Sequence, residues 1–177
     1  MKKNLTLIII PLLLLSALFL FMPSGKPITH EEQIATQYLS RMGFKALEYG
    51  GKVQSYILKN ELLSELPYMT SWGVMDIDPS LYLGKNIEVH RLVVSNHPLD
   101  NYEDSIGRTN AFVYICESAV IGATSFPITK ERLIGSVYSI DGRSLEEITQ
   151  QDFQEWREKW VTEVSKPSTL LRLIPLS

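Results

Sequence analysis

NAFVYIC at residues 110–116 and AVIGATSF at residues 119–126 are two apolar runs with only two residues between them. Two strand-like runs joined by so short a link are typical of a β-hairpin. Residues 111–116 are apolar without interruption, which predicts a central strand that is covered on both faces. Cys116 ends this run, so we expect a small buried side chain rather than a nucleophile, since no cationic neighbour that would activate it can be identified.

Further strands are predicted on both sides of this hairpin. Apolar alternation and turn residues predict strands at 53–58, 87–95 and 135–140, with a turn at 49–51 and an irregular link at 72–79. Within 87–95 the alternation changes phase, which indicates either a bulge or a strand covered on both faces. The sequence therefore predicts four or five strands.

Two capping boxes predict the helices. The box at residues 29–32 begins a helix predicted at 30–42, and a second box at 144–147 begins a helix that extends towards residue 164. A break after residue 148 is left open, because the capping pattern repeats there. The prediction is an α+β domain with a mainly antiparallel sheet, flanked by an N-terminal and a C-terminal helix.

Trp156 and Trp160 lie one turn apart in the second predicted helix. An aromatic stripe of this kind could form a carbohydrate platform. Packing against the sheet is the more common arrangement for aromatic residues at helical spacing, and it is the interpretation that we favour.

An apolar run without any charged residue, LTLIIIPLLLLSALFLFM at residues 5–22, precedes the domain. As a helix it is about 27 Å long, close to the roughly 30 Å of a bilayer core. Its exit lacks a small-x-small cleavage site, so an uncleaved signal anchor is favoured over a cleaved signal peptide. Lys2 and Lys3 precede the run, which predicts a single-pass protein of the cell membrane with a cytoplasmic N-terminus and the domain outside.

The expected organisation has three parts. Residues 1–25 are the cytoplasmic tip and membrane helix, 26–166 the extracytoplasmic domain, and 167–177 an apolar tail, either an added edge strand or a loose end. The formal net charge is −3 and no basic run is present, so nucleic acid is not an expected partner. One cysteine excludes an internal disulfide.

The polar loop at 99–108 is the predicted binding loop, since it concentrates negative charge around a tyrosine and loops often carry function. A zinc pair made of His90 and His97 is not favoured, because no third ligand is suggested by the spacing. No catalytic residue, metal or cofactor is predicted, and no phosphate loop, HExxH or nucleophile elbow is present. The residues assigned to the predicted site are His97, Asp100, Tyr102, Glu103 and Asp104.

Several short blocks between residues 30 and 126 carry a family resemblance. They are Tyr38-Leu39, Gly43-Phe44, Tyr68, Gly73-Val74-Met75-Asp76, Tyr82, Gly84-Lys85, Val94-Ser95-Asn96-His97-Pro98 and Ala119-Val120-Ile121-Gly122. Together they resemble an uncharacterised family of small membrane-anchored extracytoplasmic domains of Gram-positive, largely spore-forming bacteria. That family more often has tryptophan at position 44 and glycine at position 123. The resemblance implies an address and an architecture, and it supplies no catalytic residue.

Two classes of function follow from the sequence. The first is a non-catalytic domain that docks a protein or peptide at the cell envelope, since a small open sheet offers accessible edges. The alternative is an envelope hydrolase, or a sensor of a small ligand or cation, that uses the acidic loop at 99–108.

Overall fold

The computed structural model describes residues 27–135 and 137–164. In these residues five strands form one antiparallel sheet in chain order. The strands are β1 (Lys45–Ile57), β2 (Asn86–Ser95), β3 (Ser105–Cys116), β4 (Ala119–Thr129) and β5 (Tyr138–Ser139). The helices are α1 (His30–Arg41), α2 (Tyr68–Val74), α3 (Leu145–Thr149) and α4 (Phe153–Val164), with 3₁₀ helices at Leu62–Ser64, Pro79–Tyr82 and Pro98–Asn101. The predicted α+β class, with helices flanking an antiparallel sheet, is confirmed.

The hairpin that organises the sheet is formed by β3 and β4. Cys116 pairs with Ala119, and the two residues between them both have positive φ, 50° and 63°, as the tight turns of two-residue hairpins require. β3 is the middle strand, and the thiol of Cys116 is buried, as the sequence predicts. Burial raises the pKa of this thiol, which opposes a nucleophilic role.

Both faces of the sheet are covered. α1 packs its Ala35 and Leu39 on one face, against a cluster that includes Leu92 of β2. On the opposite face Ile87 packs in a cluster with Trp72 of α2. β2 therefore turns apolar residues to one face near its start and to the other near its end. The change of phase in the sequence is explained by this two-sided cover, one of the two predicted alternatives.

The predicted turn at 49–51 is wrong, because these residues lie inside β1. The register of β1 against β2 shifts between Ala46 and Glu48, again across Gly50, and once more before Gln54. A bulge adds a residue to one strand and bends it. Glycine is favoured at such positions as well as in turns, so the Gly-Gly pair does not distinguish them by sequence.

Two further segments differ from the sequence predictions. The irregular link at 72–79 begins inside a helix, because α2 continues to Val74. Its N-cap is Pro67, which makes no side-chain capping bond, so the sequence carries no start signal. The strand predicted at 135–140 is reduced to β5, which pairs only two residues with β4.

The C-terminal helical region is broken, as the repeated capping pattern suggests. Gln150 ends α3 in the left-handed conformation, with φ 55°. Asp152, and not Thr149, caps α4: one carboxylate oxygen accepts from the backbone N–H of Gln154 at 2.9 Å and of Glu155 at 2.9 Å. The Thr149 hydroxyl instead donates to a backbone carbonyl of α3.

The two tryptophans of α4 are packing residues. Trp156 is buried in a cluster with Met69 and Val74 of α2, and Trp160 donates its indole N–H to the Leu63 carbonyl at 2.7 Å. A packing role is thus found, although the partners are chiefly the helical layer on the sheet rather than the sheet alone.

Three predicted segments lie outside the described residues: the membrane helix at 5–22, its cytoplasmic tip and the apolar tail at 167–177. Among residues 27–135 and 137–164, no helix has both the length and the apolar composition needed to cross a membrane.

Candidate functional site

His97 stands at the start of the predicted binding loop, and its ring is 2 % exposed. Its Nδ1 accepts the backbone N–H of Leu99 at 3.1 Å, and its Nε2 donates to the carbonyl of Ile140 at 2.7 Å. These two partners fix the neutral tautomer that carries its proton on Nε2. Both ring nitrogens are in use, so His97 positions the loop and is not placed to act as a general base.

Asp100 has a similar internal role. One carboxylate oxygen accepts the hydroxyl of Thr109 at 2.8 Å, and the other accepts the backbone N–H of His97 at 3.1 Å. Asp100 thereby ties the 3₁₀ helix at Pro98–Asn101 to β3 and closes a capping box. The loop is rigid at its base because of these bonds.

Tyr102, Glu103 and Asp104 form the exposed part of the loop. They line a cavity of about 150 Å³ together with Arg132 and Leu133. The Tyr102 ring meets the Tyr138 ring edge-on, with centroids 5.9 Å apart. Burial, followed by the Tyr102 hydroxyl, raises the pKa of Tyr138 to about 12, so this hydroxyl stays protonated in the physiological range.

Two exposed apolar side chains lie near this cavity in the chain. Ile106 is 50 % exposed and Ile134 is 91 % exposed. The segments that carry them meet where Ser105 pairs with Thr129 and where the Lys130 N–H donates to the Asp104 carbonyl at 3.1 Å. We name as the distal surface the side chains of Tyr102, Glu103, Asp104, Ile106, Arg132 and Ile134.

The distal surface lies away from the start of α1. The amide of Asn96, just before the loop, donates to the carbonyl of Gly43 at 2.7 Å, which places this corner at the C-terminal end of α1. Twelve helical residues span about 18 Å, so the predicted anchor and the distal surface are at different ends of the domain.

The structure thus divides the five predicted residues into two groups. His97 and Asp100 hold the loop from inside, whereas Tyr102, Glu103 and Asp104 are presented outwards. That the outward group binds anything stays a prediction.

Stability should depend on pH through His97. Burial is the largest influence and lowers the pKa of His97, against the opposing effects of the Ile140 carbonyl and of Asp100 and Asp141. The unfolded chain, with a histidine pKa near 6.5, then binds the proton more readily than the folded one. The contribution of His97 is present above about pH 6.5, and we expect it to be lost as the pH falls towards the lower folded pKa.

The measurement is the urea midpoint of the full chain at about pH 7.5 and about pH 5.5, for the natural protein and for His97→Gln. We expect a smaller pH difference in His97→Gln. His30→Gln is the control, because His30 is exposed in the first turn of α1. An unchanged pH difference in His97→Gln would contradict the assignment.

A second polar group lies on the sheet face that α1 covers, and the sequence did not reveal it. The Tyr49 hydroxyl lies 2.7 Å from Nδ1 of His90, and Nε2 of His90 lies 3.4 Å from a carboxylate oxygen of Glu88. The other oxygen of Glu88 accepts the ammonium of Lys52 at 3.0 Å. These four residues form a continuous chain from β1 to β2.

The chemistry of this chain follows from Tyr49. Burial is the largest influence and raises the pKa of Tyr49, so the phenol stays protonated and donates to Nδ1 of His90. Nε2 of His90 then carries the proton that faces Glu88. Spacing two residues apart on one strand was the signal for the Glu88–His90 pair, but Tyr49 was assigned to a turn and the third member was missed.

The zinc reading gains no support from these positions. His90 and His97 have separate sets of partners, and residues 27–135 and 137–164 contain no group of three or more histidine, cysteine or carboxylate side chains that could hold a metal ion. Asp76 and Asp78 form no such group, and Asp78 caps the 3₁₀ helix at Pro79–Tyr82.

Comparison of the chain with protein-family models, with curated proteins and with solved structures found no match. The resemblance to a Gram-positive family therefore stays a prediction, and any function has to be argued from the residues themselves.

Proposed function

We propose that this protein is a non-catalytic interaction domain of the cell envelope. The run at 5–22 tethers it to the membrane, and the distal surface docks a segment of a partner protein. The observation that carries the proposal is that exposed carboxylates and exposed isoleucines occur together on a loop that His97 and Asp100 hold rigid. Preorganised loops lose less conformational entropy on binding.

Charge indicates the kind of partner. Three carboxylates, those of Glu103, Asp104 and Glu131, line the distal cavity with a single guanidinium, that of Arg132. Within the described residues these carboxylates form no metal-holding group. A lysine or arginine flanked by apolar residues is the complementary segment, because its cation meets the carboxylates while its neighbours cover Ile106 and Ile134.

The hydrolase alternative is less well supported. It relies on His97 as a base beside the acidic loop, and both nitrogens of that ring already have partners within the fold. A base needs a free nitrogen within hydrogen-bond reach of its substrate. Docking needs only the exposed part of the loop.

A single-site labelling experiment tests both the address and the docking. Ile134→Cys places a reactive thiol on the distal surface of the full chain, while the natural Cys116 is buried and its pKa is raised by burial. We expect a membrane-impermeant maleimide to label Ile134→Cys in intact cells. A maleimide photo-crosslinker at the same site should then capture one reproducible protein in native membranes.

Leu66→Cys is the matched control, since Leu66 is also exposed and lies outside the distal surface. Glu103→Gln with Asp104→Asn, in the Ile134→Cys background, should reduce the capture. Asparagine is chosen because Asp104 has φ 59°, a conformation that asparagine tolerates. Capture that is equal at Leu66→Cys, or unaffected by removing the two charges, would refute docking at the distal surface. Absence of labelling in intact cells would refute the address.

A further inference from the structure

A cleft of about 450 Å³ lies at the other end of the sheet, where α1 begins. Its polar side chains come from the first turn of α1, from the residues around the start of β2, and from the β3–β4 turn. They are Glu31, Lys85, Asn86, Glu88, Glu117 and Ser118. The volume is in the range of small-molecule sites, which is about 300–1,000 Å³.

Glu88 is the built part of this cleft. Lys52 holds one of its oxygens at 3.0 Å, and His90, which is 3 % exposed, faces the other at 3.4 Å. The hydrogen bond from Lys52 is the largest influence and lowers the pKa of Glu88, so the carboxylate is ionised at neutral pH. The Tyr49 hydroxyl holds His90 from behind. A charged group is thus fixed in the cleft by side chains beneath it.

The opposite charge in the cleft is already neutralised. The ammonium of Lys85 donates to Glu117 at 3.0 Å, and this bond raises the pKa of Lys85. Asn86 and Ser118 add neutral hydrogen-bonding groups. Glu31 lines the same cleft, and within the described residues its carboxylate makes no ion pair. The cleft therefore has an excess of negative charge beside neutral polar groups.

We propose that this cleft binds a small organic ammonium compound. Glu31 and Glu88 would meet its cation, and Asn86 and Ser118 would meet neighbouring amide or hydroxyl groups. A metal ion is a poorer fit, because the described residues contain no group of three ligands that could hold one. Amino-acid amides and amino sugars share the required chemistry. The proposal is independent of the distal surface, which lies at the other end of the domain.

The test is an NMR titration of the full chain in a non-ionic detergent that lacks sugar headgroups. The probes are alaninamide and glucosamine, and their neutral counterparts are N-acetylalaninamide and N-acetylglucosamine. We expect saturable shifts of the amide signals around the cleft with at least one ammonium probe and not with its acetylated counterpart. Saturation by alaninamide alone would assign an amino-acid type of ligand, and saturation by glucosamine alone an amino sugar.

Two variants locate the binding. Glu31→Gln should weaken it about threefold to fivefold, as expected for the loss of one solvent-exposed ion pair. Glu146→Gln is the matched control, because Glu146 also stands in the first turn of a helix, α3. Equal shifts with the neutral probes, unchanged affinity in Glu31→Gln, or no saturable shift with either ammonium probe would overturn the proposal.

A turn variant guards against loss of folding. Glu117→Asn with Ser118→Gly places at the β3–β4 turn the residues that tight two-residue hairpin turns prefer, so the sheet should be at least as stable. The same change releases Lys85 from its carboxylate and removes the Ser118 hydroxyl. We expect weaker binding of the ammonium probe by a protein that is still folded. Unchanged affinity would contradict the proposed use of this part of the cleft.

Discussion

Trp72→Ala is expected to lower the free energy of unfolding by about 3–5 kcal/mol, the usual cost of removing a large buried aromatic side chain. Trp72 has no exposed surface, and it packs against Ile87 and Tyr114 on one face of the sheet. Its indole N–H donates to the Tyr56 hydroxyl at 3.1 Å. The substitution therefore leaves a cavity and removes a hydrogen bond at the same place.

This loss is a large fraction of the stability of a small domain, which is typically about 5–15 kcal/mol. It is measured by urea unfolding of the full chain in detergent, followed by far-UV circular dichroism so that no tryptophan signal is needed. Trp72→Phe is the matched variant: it keeps an aromatic ring and should cost clearly less. A loss below about 1 kcal/mol in Trp72→Ala, the size of an ordinary surface change, would show that the indole is not packed as described.

Gly73→Ala is expected to destabilise the protein, although alanine is the better helix former by about 1 kcal/mol. A Cβ on Gly73 would lie 2.5 Å from Cζ2 and 2.9 Å from Cη2 of Trp156. Trp156 is buried between α2 and α3, so the ring has little room to move. Overpacking of this kind costs about 1–3 kcal/mol, which exceeds the gain in helix propensity over most of that range.

The decisive comparison is made in a Trp156→Leu background. Without the indole the space above Gly73 opens, and Gly73→Ala should then stabilise the protein, because only the propensity gain remains. The expected result is a reversal of sign between the two backgrounds, with a coupling energy of about 1–3 kcal/mol in a double-mutant cycle. The same effect of Gly73→Ala in both backgrounds would mean that α2 and α4 do not approach each other at this residue.

The two ends of the domain do different things in the proposals made above. The distal surface presents Glu103 and Asp104 with exposed isoleucines, which suits a partner protein. The cleft beside α1 encloses a fixed carboxylate, Glu88, which suits a small molecule. Because the two surfaces share no residue, a variant in one should leave the other intact, and each serves as the control for the other.

The sequence by itself determined the central hairpin, the first helix and the break before the last helix. Short-range chemistry is sufficient for these. A continuous apolar run followed by a two-residue link specifies β3 and β4, and a threonine or serine followed three residues later by glutamate specifies a helix start. It also singled out 99–108 as an exposed loop, through its density of charge.

Only the tertiary structure decided how residues far apart in the chain meet. Gly50 and Gly51 lie in a strand because β2 pairs with the residues on both sides of them, and α2 forms without a capping signal because Trp72 buries its indole against the sheet. His97 was assigned to a binding loop, yet the carbonyl of Ile140, forty-three residues away, makes it an internal support. Glu88, His90 and Tyr49 converge for the same reason. Local pattern reports which face a residue prefers, whereas its partners across the sheet are set by packing and register.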